Sequence, residues 1–107
     1  MGIKDHPDIV ELVDECIPAF ECFTNPTRRD IMLLLSNEGA MNVGTITSRV
    51  NLSRPAVSHH LKILKDAGLV TIESRGNENY YGVTIIPFLE TAQQMINKFY
   101  SDCKNLR

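Results

Sequence analysis

The chain has 107 residues, of which 43% are hydrophobic, and it carries a formal net charge of −2 at pH 7. That length fits one domain with a single core, and no apolar run approaches the roughly 18 to 20 residues that a membrane span needs. We therefore expect one domain (1–107) that has no membrane segment or signal peptide and that stays in the cytoplasm.

Charge is distributed unevenly along the chain. Residues 1–42 carry three basic and eight acidic side chains, residues 43–76 carry five basic and two acidic ones, and residues 77–107 carry three of each. A basic middle third beside an acidic first third allows a molecule to present one face to a polyanion and to turn the other away. The negative net charge therefore does not exclude a nucleic-acid partner.

A first helix is predicted over about 8–23. Apolar residues recur there at three- and four-residue intervals, which is typical of one stripe along a helix, and the opposite face is acidic. The stripe consists of Ile9, Leu12, Val13, Cys16, Ile17, Phe20 and Phe23.

A second helix is predicted to follow at once. Asn25 is a good N-cap, and Pro26 suits the first position of a helix because its missing N–H would be unpaired there in any case. Gly39 is a stop signal for this helix, and a break without regular structure is expected over 39–42.

The next two predicted helices form a helix-turn-helix over about 43–67. The third helix is short, Asn51 and Leu52 turn the chain, and Ser53 caps a fourth helix that begins at Arg54. Gly68 stops the fourth helix. Two short helices joined by a turn of three to four residues are the layout of this motif.

A β-hairpin and a last helix complete the chain. Residues 69–72 and 80–83 are strand-like and flank a polar tip at 75–78, so we expect a hairpin over about 69–84. Apolar residues then step by three and four along a helix over about 87–103, which favours lengthwise packing on another helix. We expect the two terminal helices to form a dimer interface that includes Ile9, Leu12, Cys16, Phe20, Leu89, Ala92, Ile96, Phe99 and Cys103.

The fourth helix is predicted to read DNA. On a helical wheel, Val57, Leu61 and Leu64 face inward and His60 lies at their margin. A helix with a polar outer face can enter the major groove, and its capped N-terminus suits a phosphate. The residues expected to contact DNA are Ser53, Arg54, Pro55, Ser58, His59 and Lys62 of this helix, together with Arg75 at the hairpin tip and Arg49.

Three stretches of the sequence resemble the ArsR/SmtB family of winged-helix repressors. They are Asn-Pro-Thr-Arg-Arg-Asp-Ile from Asn25, Leu-Ser-Arg-Pro-Ala-Val-Ser-His-His-Leu-Lys-Ile-Leu-Lys-Asp-Ala-Gly-Leu-Val from Leu52, and the pair Tyr80 and Tyr81. The resemblance covers roughly residues 20–100. It implies a mainly α fold with a β-hairpin wing and about five helices. It also implies a homodimeric repressor that binds a partly palindromic operator, with Ser53, Arg54, Ser58, His59 and Lys62 on the recognition helix and Arg75 on the wing.

The ligand patterns of the family's metal sensors are missing from this sequence. Asn42 and Gly44 stand where the arsenic and cadmium sensors that it resembles carry a Cys-x-Cys pair. The last helix holds Glu90 and Asp102 as its acidic residues and no histidine. His6 lies near the N-terminus, and the adjacent His59 and His60 point about 100° apart, so no metal and no cofactor is expected.

Three cysteines leave one alternative open. Cys16 and Cys103 fall on the apolar stripes and Cys22 falls off its stripe, and all three are expected to be free thiols in a reducing compartment. A thiol- or metal-responsive repressor that uses Cys16, Cys22 or Cys103 remains an alternative.

Enzymatic function is not expected, because no nucleophile elbow, phosphate-binding glycine loop or zinc-protease motif occurs in the sequence. The sequence therefore predicts a DNA-binding regulator whose partners are duplex DNA and a second copy of the chain. A second alternative is a winged helix that binds another protein through its acidic first third, since a fold does not fix a function.

Overall fold

The computed structural model describes residues 8–105, and these form a helical domain that carries a β-hairpin. Every helix predicted from the sequence is present, and the predicted hairpin is present too. The described residues fold into five helices and three strands: α1 Ile9–Thr24, α2 Pro26–Glu38, β1 Met41–Asn42, α3 Val43–Val50, α4 Arg54–Asp66, β2 Val70–Arg75, β3 Glu78–Val83 and α5 Ile86–Asn105.

Side-chain caps start the helices at the positions that the sequence predicts. Asp8 and Glu11 form a reciprocal capping box at the start of α1, with hydrogen bonds of 3.0 and 3.1 Å. The side-chain oxygens of Asn25 and Ser53 accept hydrogen bonds from the backbone N–H three residues later, at 3.0 and 3.2 Å. These caps satisfy donors that the first turn of a helix leaves unpaired.

The strand β1 was not predicted. The prediction of an irregular break over 39–42 is therefore wrong for residues 41 and 42, which form this strand. Gly39 ends α2 with a φ of 89°, as predicted, and the chain then enters a two-residue strand. Met41 pairs with Tyr81 and Asn42 pairs with Tyr80 in an antiparallel ladder. Two residues are too few to show the alternation by which a strand is recognised in a sequence.

The three strands form one antiparallel sheet in the order β1-β3-β2. The hairpin β2–β3 is in register from Val70 opposite Val83 to Arg75 opposite Glu78, and Gly76 turns the chain with a φ of 62°. The strand β3 therefore lies in the centre, between the outer strand of the hairpin and the short strand that leads into α3.

The core lies between α2, α3, α4 and the base of the hairpin. Each helix contributes residues that are at most 2% exposed, including Ile31, Ile46, Leu61 and Leu64. The helices α1 and α5 pack along each other at the side of this core, where Ala19 and Cys22 join it. None of the described helices combines the length and the apolar character that crossing a membrane would require.

Candidate nucleic-acid interface

The helix α4 has a buried face and an exposed face, as the sequence predicts. Val57, Leu61 and Leu64 are 0 to 1% exposed and pack into the core. The opposite face is open to solvent and carries a proline ring, a hydroxyl, an imidazole and an ammonium group. Its exposed residues are Pro55, Ser58, His59 and Lys62. Burial of one stripe therefore fixes which side chains α4 presents outward.

The N-terminal end of α4 carries an unpaired cation. Ser53 caps the helix, and Arg54 is exposed and makes no hydrogen bond or ion pair with any described residue. A guanidinium nitrogen of Arg54, Nη1, lies 3.8 Å from the position that a Cβ at Gly44 would occupy. The first turns of α3 and α4 therefore meet at this guanidinium, beside a helix N-terminus that itself favours an anion.

Lys62, which the sequence predicts as a DNA contact, forms an ion pair within α4. Its Nζ lies 2.9 Å from an Asp66 carboxylate oxygen one turn later, and both side chains are more than half exposed. An exposed pair of this kind is worth little and can be exchanged for another anion. Lys62 therefore remains available to a phosphate.

Arg49 forms an ion pair with Glu38 of α2. Its guanidinium donates two hydrogen bonds to the Glu38 carboxylate, the Nη1–Oε1 bond being 2.6 Å long. These hydrogen bonds lower the pKa of Glu38 and raise the pKa of Arg49. Arg49, which the sequence predicts as a DNA contact, is therefore a paired charge that joins α3 to α2.

Arg75 is held on the face of the wing. Its Nη2 and Nε donate to Glu73 Oε1 at 2.9 and 3.3 Å, and its guanidinium carbon lies 4.5 Å from the centroid of the Tyr80 ring. Glu78 is its cross-strand partner. The charge of Arg75 is therefore paired with Glu73 and rests against the Tyr80 ring.

Asn42 is a residue whose role the sequence analysis missed, since it was considered there only as the absence of a thiol. Its Oδ1 accepts a hydrogen bond from the Thr45 backbone N–H at 2.8 Å, which caps α3. Its Nδ2 donates to Glu78 Oε1 at 2.5 Å. An asparagine just before a predicted helix is a recognisable N-cap signal, so the sequence could have predicted the cap. It could not have predicted the bond to Glu78, which lies 36 positions later.

The two adjacent histidines differ in their surroundings. His59 is exposed, whereas His60 is partly buried, with its Nδ1 out of contact with solvent. Burial lowers the pKa of His60, and the nearby positive charges of Arg28 and His59 lower it further. His60 is therefore neutral near pH 7 and belongs to the packed side of α4.

No cluster of three or more potential metal ligands occurs among the residues that the structure describes. His6 lies outside the described residues. Cys16 and Cys22 are fully buried and Cys103 is exposed. Cys22 falls off the apolar stripe in the sequence but is nevertheless buried, as a member of the core cluster. Burial raises the pKa of both buried thiols, which makes them poor nucleophiles.

The terminal helices expose a second, apolar surface. Of the residues predicted there, Phe20, Leu89, Ile96, Phe99 and Cys103 are exposed, whereas Ile9 and Ala92 are half-buried. Leu12 and Cys16 are 3% and 0% exposed within one chain, on the helix that packs along α5, so they have no free surface for a partner. Val10, Ile17 and Tyr100 are exposed there and were not predicted.

Comparison with known proteins connects this arrangement to a family. The family described as "Bacterial regulatory protein, arsR family" matches residues 25–71. The transcriptional repressor SdpR of Bacillus subtilis is 36% identical over 78 residues, which span 73% of this chain and 86% of SdpR.

Solved structures share the fold. HlyU of Vibrio cholerae matches with a TM-score of 0.62 and 26% identity, over 67% of this chain and 77% of HlyU. The homodimeric winged helix-turn-helix DNA-binding domain Mb0332 of Mycobacterium bovis matches with a TM-score of 0.69 and 22% identity, over 97% of this chain and 94% of that domain. The fold of this chain is therefore the winged helix-turn-helix that the sequence predicts.

Proposed function

This chain belongs to the ArsR family of bacterial regulatory proteins, and we propose that it is a transcriptional repressor that binds duplex DNA as a homodimer through its winged helix-turn-helix. It is a DNA-binding regulator and not an enzyme. It acts on DNA in the cytoplasm, and the described residues form a single DNA-binding domain.

One observation carries the proposal: the polar face of α4 is held outward by a buried stripe. Val57, Leu61 and Leu64 anchor the helix in the core, so rotation of α4 about its axis would expose three large apolar side chains. A capped N-terminus with an unpaired Arg54 leads this face. The arrangement suits insertion of α4 into the major groove with its N-terminal end first.

The outward residues then divide by role. We assign base contacts to Ser58 and His59, whose hydroxyl and imidazole can reach base edges, and phosphate contacts to Arg54 and Lys62. Ser53 contributes the capped helix end and Pro55 fills the groove beside it. Arg49 and Arg75 can add charge at the DNA only by leaving Glu38 and Glu73, so their contribution is smaller.

The apolar surface on α1 and α5 supports dimer formation. Phe20, Leu89, Ile96, Phe99 and Tyr100 are between 44% and 71% exposed. Large apolar side chains grouped on two neighbouring helices indicate an interface, because water would otherwise solvate them at a cost. A dimer with a twofold axis through this surface would present two copies of α4 related by that axis. The operator that fits such a dimer has two related half-sites and is therefore partly palindromic.

A cysteine-based signal is not part of this proposal. Cys16 and Cys22 are buried thiols with raised pKa values, which disfavours their oxidation or metal ligation at neutral pH. Cys103 is exposed on α5 but faces no described group that would make it reactive.

Selection of binding sites from a random duplex pool tests the proposal. Purified, reduced protein is used at about physiological salt, because affinity for DNA is interpretable only at a stated salt concentration. We expect enrichment of an inverted repeat whose half-sites lie about one helical turn apart. Failure to enrich any sequence would contradict the repressor assignment, and the acidic first third would then be tested as a protein-binding surface.

A further inference from the structure

The side chain of Asn42 forms hydrogen bonds in two directions at once. Its Oδ1 accepts from the backbone N–H of Thr45 in the first turn of α3, and its Nδ2 donates to the Glu78 carboxylate at the tip end of β3. The first bond is a local cap. The second joins residues 36 positions apart and connects the helix-turn-helix to the wing.

The cap also fixes which way the amide of Asn42 points. The oxygen of the amide must face the Thr45 N–H, because a nitrogen there would place two donors together. The amide nitrogen is then the group that faces Glu78, where it meets an acceptor. The two bonds therefore support each other, and the bond to a carboxylate is of the stronger, charge-assisted kind.

An N-cap alone does not require asparagine. Aspartate, serine and threonine cap helices about as well. Aspartate at position 42, however, has no donor and would repel Glu78, and the single oxygen of serine or threonine is carried on a shorter side chain. Asparagine is the strong cap residue that also reaches a carboxylate as a donor.

Regular structure lies directly on both sides of Asn42. It is the last residue of β1 and the cap of α3, so the strand that pairs with β3 leads into the helix without a loop. Gly44 follows two residues after Asn42. A Cβ atom placed on Gly44 would lie 3.6 Å from Asn42 Oδ1 and 3.8 Å from Arg54 Nη1. The wing, the start of α3 and the start of α4 therefore meet around one side chain.

We propose that Asn42 is a positioning residue that couples the wing to the helix-turn-helix, so that the wing and α4 approach DNA in one preset arrangement. The bond to Glu78 prolongs the contact between β1 and β3 toward the tip, beyond the last pair at Tyr80. The inference rests on the DNA-binding function proposed above, although the bond itself can be tested without DNA.

Two substitutions separate the bridge from the cap and from charge. Asn42→Asp keeps the capping oxygen but removes the donor, and Glu78→Gln keeps an acceptor for Asn42. The double variant restores a bond, because the introduced glutamine would donate to the introduced aspartate, and it has the net charge of the wild type. Nonadditivity between the two changes therefore contains the bridge together with the repulsion between the introduced aspartate and Glu78, and a control variant must supply the size of the repulsion.

Asn79→Asp is the matched charge control. It introduces the same charge on the neighbouring strand, beside Glu78, and the Asn79 side chain accepts a hydrogen bond from Ser74 Oγ at 3.1 Å. An aspartate there keeps that bond, so the coupling between Asn79→Asp and Glu78→Gln measures charge repulsion without a bridge. The excess of the coupling between Asn42→Asp and Glu78→Gln over it is assigned to the bridge.

Hydrogen exchange of the DNA-free protein is the first measurement. In Asn42→Asp we expect exchange of the β3 amides to rise about fivefold, the effect of one net hydrogen bond. The Thr45 amide should stay protected by the aspartate cap. Glu78→Gln should reverse the rise in the double variant. Unchanged β3 exchange in Asn42→Asp, or no reversal, would overturn the inference.

Affinity for the selected operator is the second measurement. We expect Asn42→Asp to bind more weakly than Asn79→Asp, and the double variant to return to within about twofold of the wild type, with a coupling of about fivefold. A coupling no larger than that between Asn79→Asp and Glu78→Gln would overturn the inference while leaving DNA binding in place. Failure of the wild type to bind DNA would instead refute the proposed function, and hydrogen exchange would still decide whether the bridge exists.

Discussion

Arg49 of α3 and Glu38 of α2 form an ion pair in which two guanidinium nitrogens contact the two carboxylate oxygens. Both side chains are a little over 40% exposed. The pair joins the first helix of the helix-turn-helix to the helix before it, at a polar groove between α2 and α3 that Asp30 and Asn37 also line. Because Arg49 is already paired with Glu38 in the DNA-free protein, the ion pair contributes to the stability of the fold.

This pair makes stability depend on pH in the acid range. The folded protein holds the pKa of Glu38 below its ordinary value of 4.5, so the unfolded chain binds a proton first as the pH falls. The contribution of the pair to the free energy of unfolding is therefore complete above pH 4.5 and is lost as the pH falls through the lowered pKa. Urea unfolding of the wild type and of Glu38→Gln should converge at acid pH.

Glu21→Gln is the control for that comparison, since Glu21 is exposed and takes part in no ion pair among the described residues. It removes the same charge without removing an ion pair, so its free energy of unfolding at neutral pH should stay close to that of the wild type. A gap between Glu38→Gln and the wild type that persists unchanged below the lowered pKa would contradict the assignment.

His59→Ala should change sequence preference more than it changes overall affinity. The imidazole is exposed on the outer face of α4, where it can reach a base edge. We expect the selected consensus to relax at one position in each half-site, at a cost of about 1 to 3 kcal/mol for the preferred base. Site selection with the variant measures this. An unchanged consensus would remove His59 from the base-reading set.

Lys62→Ala should weaken binding to all sequences about equally. Loss of one phosphate contact reduces the slope of log K against log salt by about 1 for each protomer. Lys98→Ala is a close match as a control, because Lys98 also pairs with an aspartate one turn later, Asp102, but lies on α5. Equal slopes for the two variants in fluorescence-anisotropy titrations would show that Lys62 does not meet a phosphate.

Glu73→Gln should strengthen binding. The Glu73 carboxylate accepts both hydrogen bonds from Arg75, so its neutralisation frees charge at the wing and removes repulsion of phosphate. We expect affinity to rise about threefold at low salt and the gain to shrink at high salt. Glu90→Gln makes the same change on α5 and should have no effect. A loss of affinity in Glu73→Gln would mean that the pair with Arg75 is itself needed to shape the wing.

Ile96→Glu should dissociate the dimer. Ile96 is 55% exposed on α5, and a charge there would lose its hydration when a partner covers it. We expect the dimer dissociation constant to rise at least about 30-fold, the effect of losing one central contact. Leu33→Glu changes an aliphatic residue of α2 that is 54% exposed, outside the α1–α5 surface. Sedimentation equilibrium that gives equal dimer strength for both variants would exclude this interface.

Much of the fold follows from local signals in the sequence. Asn25, Ser53 and Gly39 mark helix ends because capping acts within one turn, and the structure has these ends where they are predicted. The outward face of α4 follows from the spacing of Val57, Leu61 and Leu64, since a helix that is buried on one side has no choice of rotation. Family resemblance and periodicity agree on this point.

What the sequence could not reveal depends on contacts between distant residues. Local patterns do not select Glu38 as the partner of Arg49, so Arg49 was predicted only as a DNA contact. Arg75 was predicted in the same way, although its partner Glu73 lies two residues before it. A helical stripe likewise does not say whether its own chain or a partner covers it, and Leu12 and Cys16 prove to be buried within the chain, on the helix that packs along α5. The strand β1 and the bridge from Asn42 to Glu78 also required the tertiary fold.

The most direct test of the account is a titration of the selected operator with wild-type protein over a range of salt concentrations, with the stoichiometry measured by sedimentation. We predict two protomers for each operator and an affinity that falls steeply and linearly on a plot of log K against log salt. Binding that is indifferent to salt, or one protomer on an operator without symmetry, would contradict a homodimer that grips DNA through α4 and its cations.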